Sequence, residues 1–306
     1  MSSDTRVSAQ HPPLPHLDDW LVVERHTHNT PRYYCHLLIR QKDVVKPDIW
    51  DELFKYIDHA HEGARLALRA SLGETLHPLD RGISTDPAAL YPHKFEQLAL
   101  QAFLGEIIAG IISENYVGGD DQAWFVPVYL FRTHTVAFQQ LEMMKQAGNW
   151  QRRIVGRTGD DGLAFALDEH GRIVAWLACE AKCTGSHASS LVSDNHAKLS
   201  QQAGQPIDLL RAIDALRDYR DDDYSRKWIT ALRNYWYESQ HNPSVRRDDF
   251  SMYICGSFPV QKTTWISIDA PHSKYIGGRD LTSAEFHLAN IAEVVSTLYG
   301  KMESGN

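Results

Sequence analysis

Apolar side chains recur along this chain at two different spacings, and the switches between them mark its elements. Residues 20–24 and 33–39 are rich in aliphatic and aromatic side chains and read as strands; Asn29, Thr30 and Pro31 between them read as a turn. From Asp48 to Ser71, Trp50, Leu53, Phe54, Ile57, Ala60 and Ala64 fall at helical spacing, which predicts one amphipathic helix. Residues 72–92 hold Gly73, Pro78, Gly82, Pro87 and Pro92 and form the best internal boundary. A helix follows over 94–115. It is apolar nearly all round from Leu98 to Ile112, as expected of a buried helix.

The second half alternates strands and helices. Strands are predicted at 124–131, 163–167 and 172–182, with a helix over 135–147. Helices are predicted at 195–203, 206–219 and 225–239, then strands at 252–255 and 264–268. A last helix is predicted from Ser283 to Tyr299, capped by Thr282 or Ser283. The alternation predicts an α/β (α+β) fold around a mixed β-sheet flanked by helices. The organisation read from the chain is a flexible tail over 1–18, an N-terminal αβ extension over 19–90 and a main domain over 91–306.

The informative stretch starts at Gly159-Asp-Asp-Gly, runs through Leu163 to Leu167, turns at Asp168-Glu-His-Gly and returns from Arg172 to Glu180-Ala-Lys182. Turn residues between two apolar runs make a β-hairpin. If Leu167 faces Arg172, paired numbers sum to 339 and Asp161 faces Ala178. If Glu169 faces Arg172, the sum is 341 and Asp161 faces Glu180. In both registers Asp161 neighbours Glu180, at roughly 5 to 8 Å between Cβ atoms. Either Asp160 or Asp161 is the acidic partner.

Glu180 and Lys182 are two residues apart and share a strand face. Residues 173–179 before them are almost continuously apolar, as in a central strand buried on both sides. Charged groups ending such a strand need a partner or a metal. Two carboxylates suit magnesium, with manganese as the alternative. Such an ion polarises a phosphodiester and acidifies a bound water, and Lys182 would orient that water or hold charge on the phosphate. Glu106, inside the apolar helix, is the third acidic candidate. The plain alternatives are a same-face ion pair for Glu180 and Lys182, turn roles for Asp160 and Asp161, and an arginine partner for Glu106.

These residues resemble the PD-(D/E)xK nucleases, in which a Glu on an early helix, an Asp opening one strand and Glu-x-Lys on the next build a metal site. Here they are Glu106, Asp161 and Glu180-Ala-Lys182. The proline that names the motif is replaced by Asp160. The resemblance implies a restriction-endonuclease-like sheet and a supporting role for Lys198 and Gln202 on the following helix. Over about 90–300 the chain is also similar to the HamA (AbpA) family, nuclease subunits of the Hachiman anti-phage system. That similarity implies DNA cleavage and a HamB-like superfamily 2 helicase as partner.

Composition changes this picture in three ways. A net charge of -8 argues against autonomous capture of nucleic acid, which usually takes a basic excess; a helicase that delivers DNA would remove the difficulty. No apolar run reaches the roughly 20 residues of a membrane span, and the polar first 17 residues lack the regions of a signal peptide, so the expected location is the cytoplasm. Cys179 and Cys183 flank the Glu-x-Lys pair, but a second ligand pair at zinc spacing is missing. No Walker motif is present, so ATP-driven work would fall to a partner. The competing functions are a non-catalytic adaptor that keeps the nuclease fold and an RNA or tRNA nuclease.

Overall fold

The computed structural model describes residues 8–29, 32–73, 86, 88, 91–118, 122–131, 161–201, 206, 208–219, 222–239, 245–260 and 263–304. The strands are β1 (Leu21–His28), β2 (Tyr34–Gln41), β3 (Gly162–Leu167), β4 (Ile173–Thr184), β5 (Arg246–Cys255) and β6 (Leu281–His287). The helices are α1 (Asp48–Ala60), α2 (Glu62–Gly73), α3 (Gln97–Tyr116), α4 (Ser189–Gln201), α5 (Leu209–Arg217), α6 (Asp223–Ser239) and α7 (Ile291–Ser304).

The strands form one mixed sheet in the order β1-β2-β6-β5-β4-β3. β2, β6, β5 and β4 are mutually parallel, and an antiparallel strand closes each edge. The expected α+β architecture with a mixed sheet flanked by helices is therefore present. Residues 21–41 supply two strands of this sheet, so the N-terminal extension and the main domain share one core.

Strand periodicity sorts the core into two faces. Cys35, Leu37 and Ile39 of β2, Ala284 and Phe286 of β6, Phe250, Met252 and Ile254 of β5, and Leu177 and Cys179 of β4 pack with α1, α3 and α7. On the other face Tyr34, Leu163, Phe165, Trp176 and Ala178 pack with α5 and α6. α4 covers the remainder of that second face, against β4 and β5. α3 alone among the described helices is long and apolar enough to cross a bilayer, which the apolar-run reading did not anticipate. It serves here as the core helix: Phe103 through Ile112 are all buried.

Several sequence expectations need correction. The helix over 48–71 is two helices, broken at His61, which is wholly buried between Phe131 and the hydroxyls of Tyr91 and Tyr299. Residues 124–131 make one bridge, Phe125 to Phe165, and no strand run; Pro127 has no N–H to continue a ladder. Residues 264–268 are irregular, because the amides of Trp265 and Ile266 donate to the Glu285 carboxylate instead of to a strand. The helix expected from Ser283 is strand β6 followed by α7; Asn290, at φ +54°, turns the chain between them. The helix expected over 135–147 lies outside the described residues.

Candidate metal centre

β3 and β4 pair as Gly162↔Cys179, Leu163↔Ala178, Ala164↔Leu177, Phe165↔Trp176 and Ala166↔Ala175, the register whose numbers sum to 341. A shift near the turn brings Leu167 opposite Ile173. One residue beyond Gly162, Asp161 stands opposite Glu180. Its amide donates to Cys179 O at 3.1 Å, and its Oδ2 accepts from the Ala181 amide at 3.2 Å.

The row continues across the sheet. Glu180 neighbours Ser251, Ser251 neighbours Ser283, Ser283 neighbours His36, and His36 neighbours His26. One polar side chain from each of five strands, with Asp161 just ahead of β3, thus lines a single row on the α4-covered face, where apolar residues would otherwise be expected. α4 docks on it through polar groups. His196 shares a 3.0 Å hydrogen bond with Ser283, and Asn195 Nδ2 donates to Ser251 Oγ at 3.0 Å.

Two lysines close on the two carboxylates. Lys182 Nζ is 3.4 Å from Asp161 Oδ2 and in close contact with Glu180 Oε1. Lys198 Nζ is 3.5 Å from Asp161 Oδ1 and in close contact with Glu180 Oε2. The Lys198 contact lies off hydrogen-bonding direction, so Glu180 Oε2 has an ion pair and no hydrogen bond among the described residues. Glu180 is fully buried and Asp161 nearly so.

Burial and the Asp161 charge beside it push the Glu180 carboxyl up from its ordinary pKa. Burial opposes the Asp161 charge as well, but Lys182, Lys198 and hydrogen bonds from Glu180 and the Ala181 amide outweigh it and hold that carboxyl low. Lys182 is held above the usual lysine range, its burial overcome by Asp161 and Glu180. The pair divides one proton affinity into a high and a low site, as close carboxylates do.

Glu106 approaches from the other side. Gly105 lets α3 lie against β4, where a Cβ would stand 2.9 Å from Cys183 Cβ. Glu106 and Asp161 both line a narrow cavity of about 10 Å³ with Gly110, Ser113, Tyr129 and Gly162. This is room for about one water.

The hard oxygen donors of Asp161 and Glu180, with one Glu180 oxygen lacking a hydrogen bond, fit a magnesium-type cation. Binding would require the ammonium groups to yield. Among the described residues no trio of His, Cys, Asp or Glu is already gathered in ligating geometry. Asp161, Glu180, Lys182 and Lys198 thus meet at one location. Of these four, Glu106 shares its cavity with Asp161 alone; Asp160 and Gln202 lie outside the described residues. Asn195, three residues before Lys198 on the same helix face, and Ser251 were not anticipated as neighbours of Glu180; helical spacing could have flagged Asn195. Neither Cys179 nor Cys183 is in a disulfide among the described residues. Arg211, Arg217 and Arg226 pair with Asp208, Asp214 and Asp223 one helical turn away. Neither a scan against protein-family models nor a search of curated proteins finds a match to this chain.

Proposed function

We propose that the chain is a magnesium-dependent nuclease of the PD-(D/E)xK type. In this reading it acts on DNA in the cytoplasm as the effector subunit of a two-component anti-phage system with a superfamily 2 helicase. One observation carries the reading: Asp161, Glu180 and Lys182 meet at adjacent strands, and Lys198 from the next helix joins them. Asp161 and Glu180 would hold the cation, with Glu106 facing it across the small cavity. The bound ion supplies polarisation of the phosphodiester and a water of lowered pKa. Lys182 orients the attacking water, and Lys198 balances charge on the scissile phosphate. The net charge of -8 is supported by a partner that captures DNA on its behalf. Four cysteines with no disulfide among the described residues suit a reducing compartment.

A second reading rests on the same cluster. Two carboxylates and two ammonium groups balance without a metal, which favours a closed structural site and hence an adaptor that retains the nuclease fold. Plasmid cleavage with magnesium separates the readings, measured with and without the helicase and compared with Glu180→Ala/Lys182→Ala. Cleavage by the wild type alone supports the nuclease. Absence of cleavage with both proteins folded, together with no magnesium heat in calorimetry, establishes the adaptor. Cleavage confined to transfer RNA would reassign the substrate.

A further inference from the structure

The last turn of α4 is held by a charged cluster separate from the Asp161–Glu180 pair. Asp249 of β5 precedes Ser251 by two residues, so it shares the α4-covered face. It is fully buried. Its Oδ1 accepts from Arg247 Nε at 2.8 Å, and its Oδ2 accepts from Arg279 Nε at 2.8 Å and from the Tyr275 hydroxyl at 2.7 Å. Arg247 is buried too, its guanidinium 4.8 Å from the centre of the Trp176 ring.

Both arginines then reach the same backbone oxygen. Leu199 O accepts from Arg279 Nη2 at 2.8 Å and from Arg247 Nη2 at 3.3 Å. Leu199 stands in the last turn of α4, where the final four carbonyls have no partner inside the helix and favour cations. The next residue is tied down as well: Ser200 Oγ accepts from the Ile276 amide at 2.9 Å. Residues 275–279 thereby strap the turn that carries Lys198. The other ties of α4 to the sheet, Asn195 on Ser251 and His196 on Ser283, come before Lys198 in the helix.

We propose that Arg247 and Arg279, gathered by Asp249, are positioning residues that set where the Lys198 ammonium meets Asp161 and Glu180. Their effect on cleavage rests on the nuclease reading above; the placement of the ammonium does not. A lysine carries a compact charge on a flexible stem, so where that charge sits depends on how firmly its helix turn is fixed. A buried ion cluster adds little net stability once its desolvation is counted. What this one supplies is a fixed peptide next to Lys198, held by two rigid guanidinium forks on one acceptor.

Arg279→Gln tests this, because Arg279 is partly exposed and its loss leaves Arg247 on Asp249. In the full chain labelled with carbon-13 at the lysine ε-carbons, the Lys198 resonance is assigned by its disappearance in Lys198→Ala. In metal-free Arg279→Gln it should move toward the position of a solvated lysine. In plasmid cleavage with magnesium, Arg279→Gln should lower kcat about tenfold with KM nearly unchanged, as misplacement of a catalytic group does. Made on top of Lys198→Ala, the same substitution should leave kcat nearly unchanged. Tyr275→Phe deletes one hydrogen bond to Asp249 and keeps the ring; it should move the resonance the same way, and it carries the test if Arg279→Gln does not fold. An unmoved Lys198 resonance in a folded variant, or an equal loss of kcat in the Lys198→Ala background, would overturn the proposal. A displaced resonance in a chain whose wild type does not cleave would uphold the placement and overturn the nuclease reading alone.

Discussion

Lys198 Nζ, carried by a helix, lies 3.5 Å from Asp161 Oδ1, carried by the end of an edge strand. The two are 37 positions apart in the chain, and Glu180 sits against both. A helix side chain thereby completes the charge balance of a strand-borne pair.

Removing that ammonium should expose the imbalance. Lys198→Ala leaves two buried carboxylates against Lys182 alone, at a cost of about 1–3 kcal/mol in metal-free protein. Millimolar magnesium should restore the melting temperature of the variant more than it raises that of the wild type. Identical magnesium responses in thermal melts would show that the carboxylates do not take the ion.

Glu106 reaches the same cavity as Asp161 from α3. If the nuclease reading holds, Glu106→Gln should lower cleavage at least tenfold. The melting temperature should stay within a few degrees, since size and polarity are conserved. Full activity in the plasmid assay would remove Glu106 from the site.

Gly110 faces the Tyr129 ring, whose Cε1 and Cζ would stand 2.7 and 2.8 Å from an added Cβ. Tyr129 cannot swing away cheaply: its ring stacks on Phe131, and its hydroxyl donates to Ile107 O at 3.2 Å. Gly110→Ala should therefore destabilise by about 1–3 kcal/mol. Urea unfolding measures this, and an unchanged midpoint would show that α3 has slack over the sheet.

Acid stability should depend on Glu285. Burial would raise its carboxyl, but hydrogen bonds from His287 and the amides of Ile266 and Trp265, with His36 3.9 Å away, bring it down to about 2 from the usual 4.5. A depressed carboxyl stabilises the fold above its unfolded value and loses that stabilisation as pH falls from about 4.5 toward 2. The contribution is on the order of 3 kcal/mol. Glu285→Gln should be less stable than the wild type at pH 7 and should flatten the acid limb between pH 4.5 and 2. Parallel acid limbs in fluorescence titrations would rule the network out as its cause.

The acidic pair was legible in the sequence because a hairpin is local. Turn residues, period-two alternation and a two-residue gap between Glu180 and Lys182 suffice to bring Asp161 beside Glu180, and one of the two written registers is the one observed over most of the ladder. β6 was not legible for the opposite reason. Ser283, Ala284 and Glu285 sit easily in a helix, and only parallel ladders to β2 and β5, both remote in sequence, make them a strand. The break at His61 is likewise tertiary, set by Tyr91, Phe131 and Tyr299. Lys198 was found through family resemblance alone, since its spacing from Glu180 has no local rule.

The place of β6 between β2 and β5 also sets an order of events in synthesis. β2 emerges early, and its parallel neighbour follows about 240 residues later. At about 5–20 residues per second that is tens of seconds on the ribosome. During that time β2 presents an unpaired edge, the kind of surface that invites aggregation, and β5 adds its own shortly before β6 is made. High contact order of this kind makes for slow folding, so the nascent chain is a natural client for chaperones. The polar row likewise forms only after Ser283, the last of its members along the chain, has left the exit tunnel.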